Sequence, residues 1–144
     1  MGWRSILLFD FTRDKGVKML KKIALSLIVA SSLFASEKIF VVERESSSIA
    51  IIENDKFKNR MENFRNTNHS VVKFYKDEAY AISRDGYVIK FDPKKEIIEA
   101  EYKTSKSAIG FEISEYFVAV ANYDDKSVDV LTKDLKPLKK IVTN

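Results

Sequence analysis

From position 39 onward the chain is a series of short apolar runs broken by turn residues, and none of these runs keeps the 3.6-residue spacing of a helix. Val71–Tyr75 and Ala79–Ser83 alternate or cluster their apolar side chains over a few positions, and Tyr87–Phe91 alternates again. Turn chemistry separates them at Lys76-Asp77-Glu78 and at Asp85-Gly86. Asp-Gly between alternating runs is a strong hairpin signal, because such a turn needs a positive φ that glycine accepts freely. The stretch from His69 to Asp92 therefore predicts a three-strand meander.

The same pattern recurs. His69-Ser-Val-Val-Lys-Phe-Tyr aligns with Ser107-Ala-Ile-Gly-Phe-Glu-Ile, Ala79-Tyr-Ala-Ile-Ser with Phe117-Val-Ala-Val-Ala, and Tyr87-Val-Ile-Lys-Phe with Ser127-Val-Asp-Val-Leu. The offset is 38 residues, with two extra in the Asn122–Lys126 turn. A partial copy lies upstream: Ile39-Phe-Val-Val-Glu, a serine-rich turn, Ile49-Ala-Ile-Ile-Glu and Asn54-Asp55, offset by 40 residues from the Ala79 run. Strands repeating at about 40 residues predict all-β propeller blades, each a four-stranded antiparallel sheet. The expected copies are 37–68, 69–106 and 107–144, two to three blades in all. Within the first, Lys56–Asn68 is polar and reads as a short helix or a loop. Pro93 and Pro137 fall in connections after strands, where a missing N–H does least harm.

The beginning of the chain has another character. Met19-Leu-Lys-Lys followed by Ile23–Val29 and Leu33-Phe34, with Ala35 before Ser36, reads as a helical signal peptide over 19–35. Its apolar run is too short for a comfortable membrane span, so the expectation is an exported, periplasmic protein with no stable span after cleavage. Residues 1–18 read as an extension ahead of the true start at Met19, leaving 36–144 as a partial propeller. The formal charge of +4 resides in residues 1–35. Positions 1–35 carry six Lys/Arg and two acids, and the remainder carries 19 of each sign. A basic nucleic-acid footprint is thus excluded from the folded part.

With no cysteine in the chain, disulfides, thiolate metal sites and a c-type haem attachment are excluded. His69, the only histidine, precedes a strand at a loop where propeller connections converge near the axis. Its imidazole is the one nitrogen ligand available for iron, and the plain alternative is a solvated loop residue. Arg84, in Ser83-Arg84-Asp85-Gly86, could clamp a carboxylate bidentately or simply pair with Asp85. Asn122-Tyr123 occupies the equivalent turn one copy later, where the tyrosine could stack on a macrocycle or cover the sheet end. Gly110, at a strand position, marks either a close approach or a bulge. No Gly-x-Ser-x-Gly elbow or phosphate-cradling loop is present.

Taken in order, Val42-Glu43-Arg44 with its serine turn, His69-Ser-Val-Val-Lys-Phe, Ser83-Arg-Asp-Gly-Tyr, Ser107-Ala-Ile-Gly and Val118-Ala-Val-Ala-Asn-Tyr-Asp resemble the opening blades of the haem d1-binding eight-bladed propeller. That family includes the haem d1 nitrite reductases and the NirF-type proteins of haem d1 biosynthesis, and the resemblance runs from Glu37 to Asn144. It implies haem d1 or a d1 precursor as the tetrapyrrole cofactor, His69 beneath the iron, Arg84 facing the haem carboxylates, and Asn122 and Tyr123 nearby. It also implies haem d1 maturation proteins or nitrite reductase as partners. The missing Cys-x-x-Cys-His favours the NirF-like branch, supporting nitrite reductase maturation in denitrification. A fragment of a haem d1 nitrite reductase and a cofactor-free β-repeat interaction module are the alternatives. Eight blades need roughly 300 residues, so the chain corresponds to a truncated ring without autonomous turnover.

Overall fold

A computed structural model describes residues 37–143. Eleven strands and no helix make up this part of the chain, arranged as three antiparallel sheets. The first sheet holds β1 (Lys38–Glu43), β2 (Ser48–Glu53) and β3 (Lys56–Met61) in that order. The second holds β4 (Val72–Tyr75), β5 (Glu78–Ile82), β6 (Tyr87–Asp92) and β7 (Ile97–Lys103). The third holds β8 (Ala108–Ile113), β9 (Phe117–Asn122), β10 (Ser127–Thr132) and β11 (Pro137–Val142). Each is a sequential meander, the form of a propeller blade. The fold is all-β, as the periodicity predicts. The reading of 1–18 and of a signal peptide at 19–35 lies outside the described residues, among which no helix is long and apolar enough to cross a membrane.

Side-chain parity explains how the blades stack. In β5 and β6, Ala79, Ala81, Ile89 and Phe91 face the first blade, where they bury Ile49, Ile51, Met61 and Phe64. Tyr80, Ile82 and Val88 point the other way and bury Val118, Val120, Leu131 and Leu135 of the third. A strand buried on both faces reads as a near-continuous apolar run, which is why Glu78–Ile82 and Tyr87–Asp92 stand out in the sequence. Strands β1, β2 and β3 match β5, β6 and β7, and the described residues hold no counterpart of β4.

The helix or loop expected over Lys56–Asn68 is wrong in its first half. Lys56–Met61 is a strand, paired Glu53↔Lys56, Ile52↔Phe57 and, past a bulge, Ile51↔Asn59 and Ile49↔Met61. Asn54 and Asp55 both adopt positive φ (52° and 61°), the geometry of a two-residue hairpin turn. Five of the strand's six residues are exposed because it is the outer edge of its blade. Pro137 likewise opens β11 rather than preceding it, at the first position of an edge strand where no ladder bond is lost. At Gly110 the bulge is the correct alternative. The β8–β9 register shifts between Ala108 and Gly110, and a Cβ there would meet nothing within 4 Å.

Candidate functional site

Antiparallel alternation brings five connections to one end of the sheets. These are 44–47, 62–71, 83–86, 104–107 and 123–126. Hydrogen bonds knit them into a single rim. The Phe64 N–H donates to the Ser47 carbonyl (3.0 Å), and the buried Thr67 hydroxyl donates to the Glu43 carbonyl (2.8 Å). The Arg84 N–H donates to the Asn66 carbonyl (2.8 Å), and the Asn66 N–H donates to Asp85 Oδ1 (3.2 Å). The Ser70 hydroxyl donates to the Ile82 carbonyl. Further round, the Thr104 N–H reaches the Gly86 carbonyl (2.9 Å) and the Tyr123 N–H the Ser107 carbonyl (3.0 Å).

The residue just before the following strand is left-handed in all three equivalent turns, at Ser47 (φ 53°), Gly86 (80°) and Lys126 (49°). Only at Gly86 is glycine obligatory, because a Cβ would sit 2.2 Å from the Ser105 carbonyl oxygen. Counting one residue forward from the last paired position before each turn (Glu43, Ser83 and Asn122) places Arg44, Arg84 and Tyr123 at one register in three successive blades. Each precedes an acid (Glu45, Asp85, Asp124). Arg44 was absent from the residues singled out in the sequence as carboxylate partners. The 40-residue offset from Arg84 is the signal that finds it.

His69 lies in the loop before β4, exposed, with a left-handed backbone (φ 60°) that histidine tolerates better than most residues. Thr67 and Ser70 tie the loop on either side of it to neighbouring blades, and the imidazole has no hydrogen-bond partner among the described residues. Arg84 is also exposed and does not pair with Asp85 as the plain alternative supposed. Asp85 instead accepts the Asn66 N–H, and its carbonyl accepts from Lys103. Tyr123 is 73% exposed. Asn122 differs from these three: it is 4% exposed, and its Nδ2 donates to Ser127 Oγ (3.0 Å) and Asp129 Oδ2 (2.7 Å). Its Oδ1 is buried without a partner. The structure therefore brings His69, Arg84 and Tyr123 to the rim as solvent-facing groups and turns the Asn122 side chain inward beneath Tyr123.

Charge at the rim is set locally. Asp124 is held below the usual carboxylate range, first by the Ser105 hydroxyl (2.7 Å) and then by backbone N–H groups including those of Lys106 and Ser107. Glu43 is lowered to about 2, chiefly by its bond from Arg60 and then by Ser48. Arg44, Arg84, Lys106 and Lys126 are exposed cations on the same end. A groove of about 770 Å³ opens at the rim between the 44–47 and 62–71 connections and β7, lined by residues that include Ser46, Glu62, Arg65, Ile98 and Glu101. None of His69, Arg84 and Tyr123 lines it, so these three occupy a part of the rim outside the groove.

The donor set fits an iron macrocycle. Among the described residues no group of three or more His, Asp and Glu could hold a bare metal ion. One imidazole suffices where a tetrapyrrole supplies the other nitrogens. Guanidinium groups at Arg84 and Arg44 match carboxylates in geometry and charge, and an exposed tyrosine ring offers a flat apolar face.

Comparison with known proteins bears on the fold and the family. Dihydro-haem d1 dehydrogenase NirN, in a complex with DHE, superposes with a TM-score of 0.66 at 26% identity. The match takes in 72% of this chain and 24% of that one, so the present sequence spans about a quarter of its length. AztD from Citrobacter koseri (TM-score 0.62, 15% identity, 76% of this chain and 33% of that one) shares the fold. So does the WD40 domain of Toxoplasma gondii coronin (0.61, 10%, 72% and 30%). No curated protein matches by sequence. The family model described as the cytochrome D1 heme domain matches residues 34–144, and the chain belongs to that family of haem d1-type propellers.

Proposed function

We propose that this chain is the haem-facing portion of a periplasmic propeller that holds haem d1 or a d1 precursor during maturation of dissimilatory nitrite reductase, as the NirF-type proteins do. One observation carries this reading above the others. An unpartnered, solvent-facing imidazole sits on a loop pinned from both sides, on the same rim as an arginine that has no carboxylate partner among the described residues. His69 would offer a nitrogen ligand to the iron, Arg84 and Arg44 would pair with the macrocycle's carboxylates, and Tyr123 would offer its ring as an apolar contact. Asn122 braces the strand end that presents Tyr123. The macrocycle itself supplies iron held by four ring nitrogens.

Titration of the refolded chain with haem d1, followed by optical spectroscopy, tests the assignment. His69→Ala is expected to abolish the axial-ligand band shift, and Arg84→Ala to weaken binding several-fold without altering the band. Identical spectra for the parent protein and His69→Ala would remove His69 from the site.

A further inference from the structure

The rim is fastened between blades by a backbone latch that occurs twice. At the second blade the Arg84 N–H donates to the Asn66 carbonyl (2.8 Å), and the Asn66 N–H donates to Asp85 Oδ1 (3.2 Å). At the third, the Tyr123 N–H donates to the Ser107 carbonyl (3.0 Å), and the Ser107 N–H donates to Asp124 Oδ1 (3.2 Å). Each time, one residue of a connection between blades has both its backbone groups held by two consecutive residues of the next turn. The first of these is presented at the rim, and the second is an aspartate. Two bonds to one residue set a direction as well as a distance, and a carboxylate makes the stronger kind of bond to a backbone N–H.

The two latches differ in what they hold. Asn66 stands immediately before the turn that carries His69. Its Oδ1 accepts the Asn68 N–H (3.0 Å), and the Ser70 N–H closes the turn on the Thr67 carbonyl (3.0 Å). His69 is the third residue of that turn, at its left-handed position (φ 60°). Ser107 instead leads directly into β8 and carries no candidate ligand. Its latch is reinforced, since Asp124 also accepts from the Ser105 hydroxyl (2.7 Å) and the Lys106 N–H (3.3 Å). Asp85 therefore joins Arg84 to the imidazole loop, whereas Asp124 joins Tyr123 to the start of a strand.

We propose that Asp85 is a positioning residue of the rim, fixing His69 relative to Arg84 through the backbone of Asn66, and that Asp124 does the same for Tyr123 alone. Neither carboxylate needs to touch a ligand for this. The consequence for a tetrapyrrole rests on the function proposed above, whereas the placement of His69 is measurable without one.

Nuclear magnetic resonance of the full 144-residue chain, without cofactor, tests the placement, with the single histidine as its reporter. Asp85→Ala should speed exchange of the Asn66 amide about tenfold, the worth of one hydrogen bond, and shift the His69 resonances. Asp124→Ala should do neither, and should speed exchange at Ser107 instead. Asp85→Asn, whose amide oxygen still accepts, should return both signals toward the parent. Asp85→Glu keeps the charge but sets it one methylene too far, so it should act as Asp85→Ala does, and it serves if the alanine variant fails to fold. Titration with haem d1 then tests the consequence. Asp85→Ala should weaken binding about tenfold and alter the His69-dependent band, and Asp85→Asn should restore both. Asp124→Ala should weaken binding about threefold with the band unchanged. An Asp85→Ala protein whose His69 resonances and Asn66 exchange match the parent overturns the proposal. So does an Asp124→Ala protein that moves His69 equally, or an asparagine variant that rescues nothing. A parent chain without a His69-dependent band would remove the tetrapyrrole reading, and resonance and exchange would still decide the placement.

Discussion

The two junctions between blades are built from different materials. Between the first and second blades the contact is aromatic and aliphatic. The Phe91 ring sits among Phe40, Phe64 and Phe74 with centroids 5.9, 5.4 and 6.4 Å away. Between the second and third blades the core holds a lysine. Lys90 is 7% exposed and reaches Glu78 (2.8 Å), Asp134 (2.9 Å) and Glu99 (3.7 Å). Beside it the buried Tyr80 hydroxyl donates to the Lys133 carbonyl (2.9 Å) and to Glu78 (3.2 Å). Burial raises the Glu78 carboxyl, yet bonds from Lys90 and Lys133 outweigh it and hold the group below the carboxylate range. An apolar contact tolerates sliding, whereas a buried charge with fixed partners accepts one register only. The first junction supplies cohesion and the second supplies alignment.

That contrast can be broken from either side. The largest effect is expected from Phe91→Ala, which removes the hub of the aromatic cluster at a fully buried site. A loss of about 3–5 kcal/mol in chemical denaturation is the usual cost of such a truncation.

Gly86→Ala ranks second. The φ of 80° and the Ser105 carbonyl 2.2 Å from an added Cβ both oppose it, at about 2 kcal/mol or more. Ser47→Gly in the equivalent turn should change stability by under about 1 kcal/mol and in the favourable direction, since Ser47 already bears the left-handed backbone. Thermal melts of the pair would separate backbone strain from steric conflict.

Next comes Lys90→Met, which fits the volume but removes the cation shared by Glu78, Glu99 and Asp134, leaving Glu78 to Lys133 and Asp134 to solvent. A cost of about 1–2 kcal/mol is expected, below that of a fully buried pair broken on one side, because the acids left behind are partnered or solvated. Adding Glu78→Leu should recover part of it, as replacing both partners of a buried pair often does. If Lys90→Met were neutral, the second junction would be held by its apolar residues alone.

Much of this plan was legible before any coordinates. The alternation of Tyr87–Phe91, the Asp85-Gly86 turn and the spacing of the copies are local signals, so the strands and their recurrence followed from them. Strand β3 was not legible, because an outer edge strand such as Lys56–Met61 carries five exposed residues and so no alternation to read. The inward turn of Asn122 was readable in principle: it lies two and four residues after the buried Val120 and Val118, on the same parity. The pairing of Asp85 with the Asn66 N–H joins residues 19 apart through loop geometry, which no local pattern announces. His69 and Arg84 could be nominated by residue type. That they share one rim is a property of the antiparallel alternation, visible once every strand is counted.

The smallest effect concerns pH and the Glu96 clasp of the first junction, where one partly covered carboxylate meets two lysines. Glu96 is lowered to about 2 by bonds from Lys38 first and Lys58 next. A carboxyl depressed in the folded state contributes stability that is complete above its unfolded value, about 4.3, and is lost as pH falls toward 2. Glu96→Gln should lower stability only modestly at pH 7, because the glutamine oxygen can still accept from the lysines and both ammonium groups keep contact with solvent. Its mark should be a flatter decline in stability between about pH 4.3 and 2 than the parent shows. Denaturation midpoints at pH 7, 4 and 2.5 for both proteins measure this directly. Parallel declines would mean that the acid sensitivity resides elsewhere, with Asp92, also held to about 2 by the backbone N–H groups of Lys95 and Lys94 and by the Lys95 ammonium, as the next carboxylate to replace.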